Sequence, residues 1–120
     1  MILKKYVKSL AYAIAGISFA FRSQFNMRFH VVAAVVVLVT SAILKISPVE
    51  WCIILLCIGS VIAAELINTS LEMSVDLITQ ERNEKAGQIK DVAASAVLSI
   101  CIISAVIGLI IFIPKIAILF

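Results

Sequence analysis

Residues 51–79, WCIILLCIGSVIAAELINTSLEMSVDLIT, join a long apolar run to a polar stripe, and their periodicity predicts one continuous helix. The first fourteen residues, through Ala64, carry no charge. Three carboxylates and one amide follow at spacings of three, four and four: Glu65, Asn68, Glu72 and Asp76. At ~100° per residue these side chains fall within an arc of roughly 80° on one helix face. A charged side chain at the centre of a membrane helix costs on the order of 2.5–3.5 kcal/mol, so this stripe is the strongest indication of function in the chain.

The composition of the whole chain is that of a membrane protein. Of its 120 residues, 63% are hydrophobic and 14% are charged, and the mean hydropathy is +1.19. Soluble globular domains carry roughly 25% charged residues. The sequence therefore predicts a single all-α membrane domain over residues 1–120, and no nucleic-acid partner is expected.

The first 28 residues are predicted to form a surface helix and its connector. Apolar side chains recur at helical spacing from Leu3 to Phe21. Three lysines lie on the other face at the start of this helix: Lys4, Lys5 and Lys8. An amphipathic helix of this kind suits the membrane surface, where its cations meet anionic headgroups.

Three membrane spans are predicted to follow the surface helix. Their bounds are 29–46, 50–79 with a cytoplasmic extension, and 91–113. The run Ser47-Pro48-Val49-Glu50 has the pattern of a capping box with proline in the first turn, so the second helix should begin there. Residues 80–90 are predicted to form a polar loop, and Pro114 is predicted to close the third span.

The distribution of cations predicts the orientation of the chain in the membrane. Lysine and arginine are concentrated in the N-terminal segment and in the second loop, whereas the short first loop has only Lys45. The positive-inside rule places the N-terminus and the second loop in the cytoplasm and the C-terminus outside.

The stripe suggests chemistry at the cytoplasmic end of its helix. A hairpin between the second and third spans should bring Glu72 and Asp76 near Lys90 and Asp91. Carboxylate and amide oxygens suit a hard cation such as Mg²⁺, and neighbouring cations can meet phosphate charge. These groups fit phosphoryl transfer from a cytoplasmic nucleotide to a hydroxyl at the membrane surface. The alternative is a helix-packing network of paired acids, and the chain has no glycine-rich phosphate loop or protein-kinase motif.

A long motif resembles the small prokaryotic diacylglycerol kinase/undecaprenol kinase family. It consists of Glu65-Leu-Ile-Asn68-Thr-Ser-Leu-Glu72-Met-Ser-Val-Asp76 and, fourteen residues later, Lys90-Asp91-Val-Ala-Ala-Ser-Ala-Val-Leu. The similarity extends to Asn26-Met27-Arg28-Phe29-His30, to Glu50-Trp51 and to the chain length and number of spans. This resemblance implies a homotrimeric lipid kinase of the bacterial inner membrane that uses ATP with Mg²⁺ and phosphorylates a membrane lipid alcohol.

The resemblance also implies roles for individual residues. Glu65 would be the catalytic base that takes the proton of the lipid hydroxyl, Asn68 would orient the reacting groups, and Glu72 would bind the metal. Nucleotide binding would fall to Tyr12, Glu81, Arg82, Asn83, Lys90 and Asp91. Asp76 and Arg28 would support the site. His30 is interpreted as an interfacial, hydrogen-bonded histidine.

Two positions depart from the pattern of the family. Gln24 stands where the best-known members have a second metal-binding glutamate, and its amide oxygen can bind a metal without contributing charge. Asn83 stands in the loop at a position often filled by histidine.

Two alternatives to an active kinase remain at this stage. One is a small transporter that uses an intramembrane glutamate, although such chains usually have four spans and an acid in the first. The other is a catalytically weakened homologue, supported by Gln24 alone. Undecaprenol is favoured over diacylglycerol as the acceptor, because many short members of the family are polyprenol kinases.

Overall fold

The computed structural model describes residues 1–120 as four α-helices joined by short connections. They are α1 (Ile2–Ser23), α2 (Phe25–Ile43), α3 (Pro48–Ile78) and α4 (Glu84–Leu119). The last three, of 19, 31 and 36 residues, are long and apolar enough to cross a membrane. The predicted all-α membrane fold with three helices able to span is therefore confirmed.

A single non-helical residue separates α1 from α2. Gln24 has φ −114° and ψ 120°, which is extended backbone. Its N–H donates to the Ala20 carbonyl at 2.9 Å, and Arg28 Nη1 donates to the Arg22 carbonyl at 2.9 Å. These bonds satisfy carbonyls that the end of α1 would otherwise leave open. The predicted connector up to residue 28 is instead helical from Phe25 onward.

The start of α3 follows the pattern in its sequence. The Glu50 N–H donates to Ser47 Oγ at 3.2 Å, and the Ser47 N–H donates to Glu50 Oε1 at 2.9 Å. This reciprocal pair is the predicted capping box, with Pro48 in the first turn. Just before it, Lys45 adopts a left-handed conformation with φ 52°, which turns the chain from α2 into α3.

Helix α4 is longer at both ends than the predicted third span. It begins at Glu84 because Asn83 caps it: Asn83 Oδ1 accepts from the N–H groups of Lys85 at 2.8 Å and Ala86 at 3.3 Å. The loop predicted over 80–90 therefore shrinks to the residues between Ile78 and Glu84. At the other end, Pro114 lies inside the helix instead of closing it. A proline is tolerated in a membrane helix when its surroundings accommodate the missing hydrogen bond.

Helices α3 and α4 form an antiparallel hairpin that is held at both ends by ion pairs. At the loop end, Lys90 Nζ lies 2.6 Å from Asp76 Oδ1. At the opposite end, Lys115 Nζ lies 2.9 Å from Glu50 Oε1. A small apolar core near this second pair contains Ile46, Ile54 and Ile111. The ion pairs and the core together set the register of the hairpin.

Most of the chain's apolar surface faces outward. Only 12 of the 120 residues are buried within the chain, so lipid or neighbouring chains must cover most of the rest. Among the buried residues, three polar side chains of α3 come from the stripe and its neighbour: Glu65, Asn68 and Thr69.

The capping box yields a test of this fold. We expect Ser47→Ala to lower the free energy of unfolding by about 1 kcal/mol, because the Glu50 N–H loses its acceptor. The measurement is unfolding in mixed micelles by SDS titration. Ser60→Ala is the control, since Ser60 is an exposed residue within α3. Equal stability of the two variants would show that the box does not stabilise α3.

Candidate active site

Glu65 is the most enclosed carboxylate of the chain. It lies near the middle of α3 and is only 2% exposed. From α2, His30 Nε2 approaches Glu65 Oε2 to 3.7 Å. From α4, the Cys101 thiol lies close enough to interact electrostatically with the same carboxylate. Three helices of one chain therefore surround this group, and water reaches it poorly.

The polar stripe of α3 passes from a buried end to an exposed end. Glu65 and Asn68 are buried, Glu72 is half-buried and Asp76 is exposed. Asn68 Nδ2 donates to Glu72 Oε1 at 3.3 Å, so the amide links the two middle members. Asn68 Oδ1 is buried and has no hydrogen-bond partner. The stripe thus presents acids in sequence from an apolar to an aqueous environment.

A polar hollow of about 280 Å³ lies beside the exposed end of the stripe, where α3 turns into α4. It brings together five residues assigned to the site from sequence: Asp76, Glu81, Arg82, Asn83 and Lys90. Small side chains at Ala86 and Gly87 leave room on the α4 side. A hollow of this polarity, with one lysine and one arginine, can accept a phosphorylated polar ligand.

The structure places Lys90 beside the stripe, as the hairpin pattern predicts. Its ammonium group contacts Asp76, whereas Asp91 is exposed and forms no hydrogen bond or ion pair with the stripe. The Lys90 and Asp76 side chains are 38% and 61% exposed, so solvent screens this pair and it contributes little stability. The main effect of the pair is to hold the Lys90 ammonium group at the edge of the hollow.

Four predicted site residues make no polar contact with the stripe within one chain. Asn83 lines the hollow, but its side-chain oxygen already caps α4. Tyr12 is 75% exposed on α1, and no hydrogen bond joins Tyr12 or Gln24 to the stripe. Arg28 donates to the Arg22 carbonyl, which ties α2 to the end of α1. Within one chain, these four side chains make no hydrogen bond or ion pair with the acids of the stripe.

An apolar groove of about 550 Å³ runs between α1 and α3. Residues of α1 from Ala13 to Ala20 form one wall, and residues of α3 from Leu66 to Leu77 form the other. Thr69, which lies four residues after Glu65, lines this groove, and its buried Oγ1 has no hydrogen-bond partner. The groove can therefore take an apolar chain close to the buried end of the stripe.

Two neighbours of Glu65 were not predicted as site residues. His30 was interpreted as an interfacial side chain, and no role was predicted for Cys101. Two signals in the sequence pointed to His30: it is the single histidine of the chain, and it ends the segment Asn26-Met27-Arg28-Phe29-His30 that resembles the family. Its contact with Glu65 depends on how α2 packs against α3, which periodicity within one helix does not specify.

The donors fit a magnesium ion only in part within one chain. No group of three or more histidine, cysteine, aspartate or glutamate side chains is placed to hold a metal. Glu72 nevertheless offers a half-buried carboxylate, and Asn68 offers its unpartnered Oδ1. Mg²⁺ is commonly bound by one or two carboxylates together with substrate phosphates, so this donor set fits a metal that arrives with a nucleotide.

Comparison with known proteins matches this architecture to a family. The family model for prokaryotic diacylglycerol kinase matches residues 11–112, which include the whole stripe, the loop and most of α4. The chain belongs to the prokaryotic diacylglycerol kinase family. It is a lipid kinase with three helices able to span a membrane, and this membership favours a kinase over a small transporter.

Individual relatives carry two kinds of name. The chain is 42% identical over 113 residues to the undecaprenol kinase of Bacillus subtilis, covering 94% of this chain and 92% of the relative. It is 38% identical over 101 residues to a diacylglycerol kinase of Synechocystis, covering 83% of this chain and 58% of that relative. It is 30% identical over 111 residues to a diacylglycerol kinase of Haemophilus influenzae, covering 92% of this chain and 94% of that relative.

Two substitutions at Asn83 distinguish its role as a helix cap from a role in nucleotide binding. We expect Asn83→Ala to lower the free energy of unfolding by about 1 kcal/mol, and Asn83→Ser to restore most of it, because serine is also a good N-cap. The measurement is the same SDS titration, combined with the KM for ATP. A KM raised equally by both variants, with stability unchanged, would instead assign the side chain to the nucleotide.

Proposed function

We propose that this lipid kinase transfers the γ-phosphoryl group of ATP to the hydroxyl of undecaprenol at the cytoplasmic face of the bacterial inner membrane. The observation that carries the proposal is the graded stripe, with a buried carboxylate at one end and a polar hollow at the other. A lipid alcohol and a nucleotide require these two environments within a few helical turns. Undecaprenol is preferred to diacylglycerol because the relative named undecaprenol kinase is 42% identical over nearly the full length of both chains.

Glu65 is the proposed general base. As the lipid oxygen attacks the γ-phosphorus, the Glu65 carboxylate takes the hydroxyl proton, the bond from the γ-phosphorus to the β–γ bridging oxygen breaks, and ADP leaves. The 2% exposure of Glu65 supports this role, because it keeps competing water away from the carboxylate. Asn68, one turn further along α3, holds the Glu72 carboxylate through its 3.3 Å hydrogen bond and so orients the middle of the site.

The polar hollow is the proposed nucleotide site. Lys90 and Arg82 meet the phosphate charge, and Asp76 holds the Lys90 ammonium group at 2.6 Å when no phosphate is bound. Glu81 and Asn83 lie in the same hollow and contact the rest of the nucleotide. Tyr12 and Asp91 belong to the proposed site by resemblance to the family.

Glu72 is the proposed protein ligand of Mg²⁺, with the Asn68 Oδ1 as a second oxygen donor. When bound with ATP, the ion neutralises charge on the β- and γ-phosphates. Gln24 is proposed as an additional neutral oxygen donor at its family position. With only one carboxylate from the protein, we expect the site to depend strongly on the phosphates for metal affinity.

The groove between α1 and α3 is the proposed site of the lipid chain. Its apolar walls match a polyprenyl chain, and its wall residue Thr69 lies one turn from Glu65. The amphipathic helix α1 then lies at the membrane surface, with the N-terminus in the cytoplasm and the C-terminus outside. Arg28 supports this arrangement through its bond to the end of α1.

A homotrimer is the proposed assembly. Glu72 is half-buried within a single chain, and most large apolar side chains face outward. Polar groups at membrane depth are costly unless protein or water surrounds them. Neighbouring copies would cover the apolar faces and shield the part of the stripe that one chain leaves open.

A competition assay tests the function directly. Purified protein in mixed micelles receives ATP with Mg²⁺, undecaprenol and diacylglycerol together, and the products are resolved by mass. We expect phosphorylated undecaprenol to dominate. Phosphorylated diacylglycerol as the main product would contradict the acceptor, and no product from a folded protein would contradict the kinase activity.

Substitutions in the stripe test the assigned roles. We expect Glu65→Gln to lower kcat on the order of 10²- to 10⁴-fold, the usual contribution of a general base. Glu72→Gln should raise the Mg²⁺ concentration needed for half-maximal activity, because the metal loses its charged ligand. Glu84→Gln removes an exposed acid outside the site and serves as the matched control. Wild-type kinetics in both stripe variants would overturn these roles.

A further inference from the structure

His30 and Glu65 form the one close pair of polar side chains that links α2 to the polar stripe of α3. His30 Nε2 lies 3.7 Å from Glu65 Oε2, and the two side chains are 14% and 3% exposed. This separation is longer than a hydrogen bond but within the range of a close electrostatic contact. Glu65 is buried and His30 is largely enclosed, and a polar group removed from water needs a partner to offset the loss of hydration.

Asn68, on the same helix, is the other polar neighbour of Glu65 and is shared between two acids. Asn68 directs its amide nitrogen to Glu72 Oε1 at 3.3 Å. Cys101 on α4 and Glu72 on α3 are the remaining titratable groups that interact with the Glu65 carboxylate, and neither is a strong donor to it. The imidazole of His30 is therefore the one donor that approaches Glu65 Oε2 from another helix.

The orientation of the His30 ring is also restricted. The ring of Phe29 lies 5.8 Å away from it, centroid to centroid, at an interplanar angle of 75°, an edge-to-face arrangement. With 14% of its side chain exposed, His30 has little freedom to turn away from α3. The histidine thus approaches the carboxylate with Nε2 nearest to Glu65 Oε2.

We propose that His30 is a positioning residue for the phosphoryl-transfer step: its Nε2–H holds Glu65 Oε2 and leaves Oε1 directed at the lipid hydroxyl. This inference rests on the proposed role of Glu65 as the base. A carboxylate with one oxygen fixed has fewer orientations to lose when the substrate arrives, which lowers the barrier to proton transfer. His30 does not contact the reacting atoms and acts only through Glu65.

Two substitutions at His30 separate positioning from packing. We expect His30→Leu to lower kcat on the order of 10- to 100-fold while leaving the KM for ATP unchanged, because the base is displaced and the nucleotide hollow is not. His30→Gln retains an N–H donor of similar reach and should keep kcat within about threefold of wild type, a small loss on the scale of such displacements. Wild-type kcat in His30→Leu, or equal losses in both variants, would overturn the inference.

A spectroscopic test does not depend on whether His30→Leu folds. Because His30 is the only histidine of the chain, ¹⁵N-histidine labelling reports on this one ring. We expect Glu65→Gln to shift the His30 ring nitrogen resonances of the protein in micelles, and Asp76→Asn, further along the stripe, to leave them unmoved. Resonances that are unchanged by Glu65→Gln would show that the two groups do not interact and would overturn the inference.

The kinetic and spectroscopic results also separate this inference from the proposed function. A folded wild-type protein that phosphorylates neither lipid overturns the kinase function itself. If the wild-type protein is active but the His30 variants or the His30 resonances give the contradicting results above, only the positioning role is overturned.

Discussion

The burial of the Glu65 carboxylate is the constraint on which the rest of this structure depends. Removing a carboxylate from water is costly unless polar partners surround it. The chain meets this requirement with His30 from α2, whose Nε2 lies 3.7 Å from Glu65 Oε2, and with the Asn68 amide one turn further along α3. The packing of α2 against α3 must therefore bring His30 to the level of Glu65.

The hairpin of α3 and α4 provides the frame that keeps Glu65 in place. One ion pair lies near each end, Lys90 with Asp76 and Lys115 with Glu50. Each is partly exposed and stabilises the fold only weakly. They fix the register of α3 against α4 instead, because a shift of one helix turn along the hairpin would break both pairs and would move Cys101 away from Glu65. A 36-residue helix is about 54 Å long, so α4 is much longer than a hydrocarbon core of about 30 Å, and the proposed nucleotide site lies beside its N-terminal end.

Much of this fold could be predicted from sequence, because local patterns determine it. The apolar runs predicted three membrane helices, Ser47 and Glu50 predicted the start of α3, and the spacing of the stripe placed four polar side chains on one face. The start of α4 could not be predicted in the same way. Residues 84–90 are polar, so their helix has no apolar periodicity, and it depends on the cap that Asn83 provides. The contact of His30 with Glu65 depends on the packing of α2 against α3, which no spacing within either helix encodes. Lys90 was placed beside Asp76 because a hairpin brings the two ends of its helices together.

The gradient of exposure along α3 has a consequence for energy waste in the cell. A kinase that binds ATP at an aqueous surface risks hydrolysing it, since water is a far more abundant acceptor than any lipid. Here the proposed base lies in the most buried part of the stripe, and the proposed nucleotide hollow opens at its most exposed part. Water that surrounds the phosphates finds no base beside it, whereas a lipid hydroxyl entering from the apolar side does. With Glu65 as the proposed base, this ordering of four side chains on one helix face would limit futile hydrolysis of ATP.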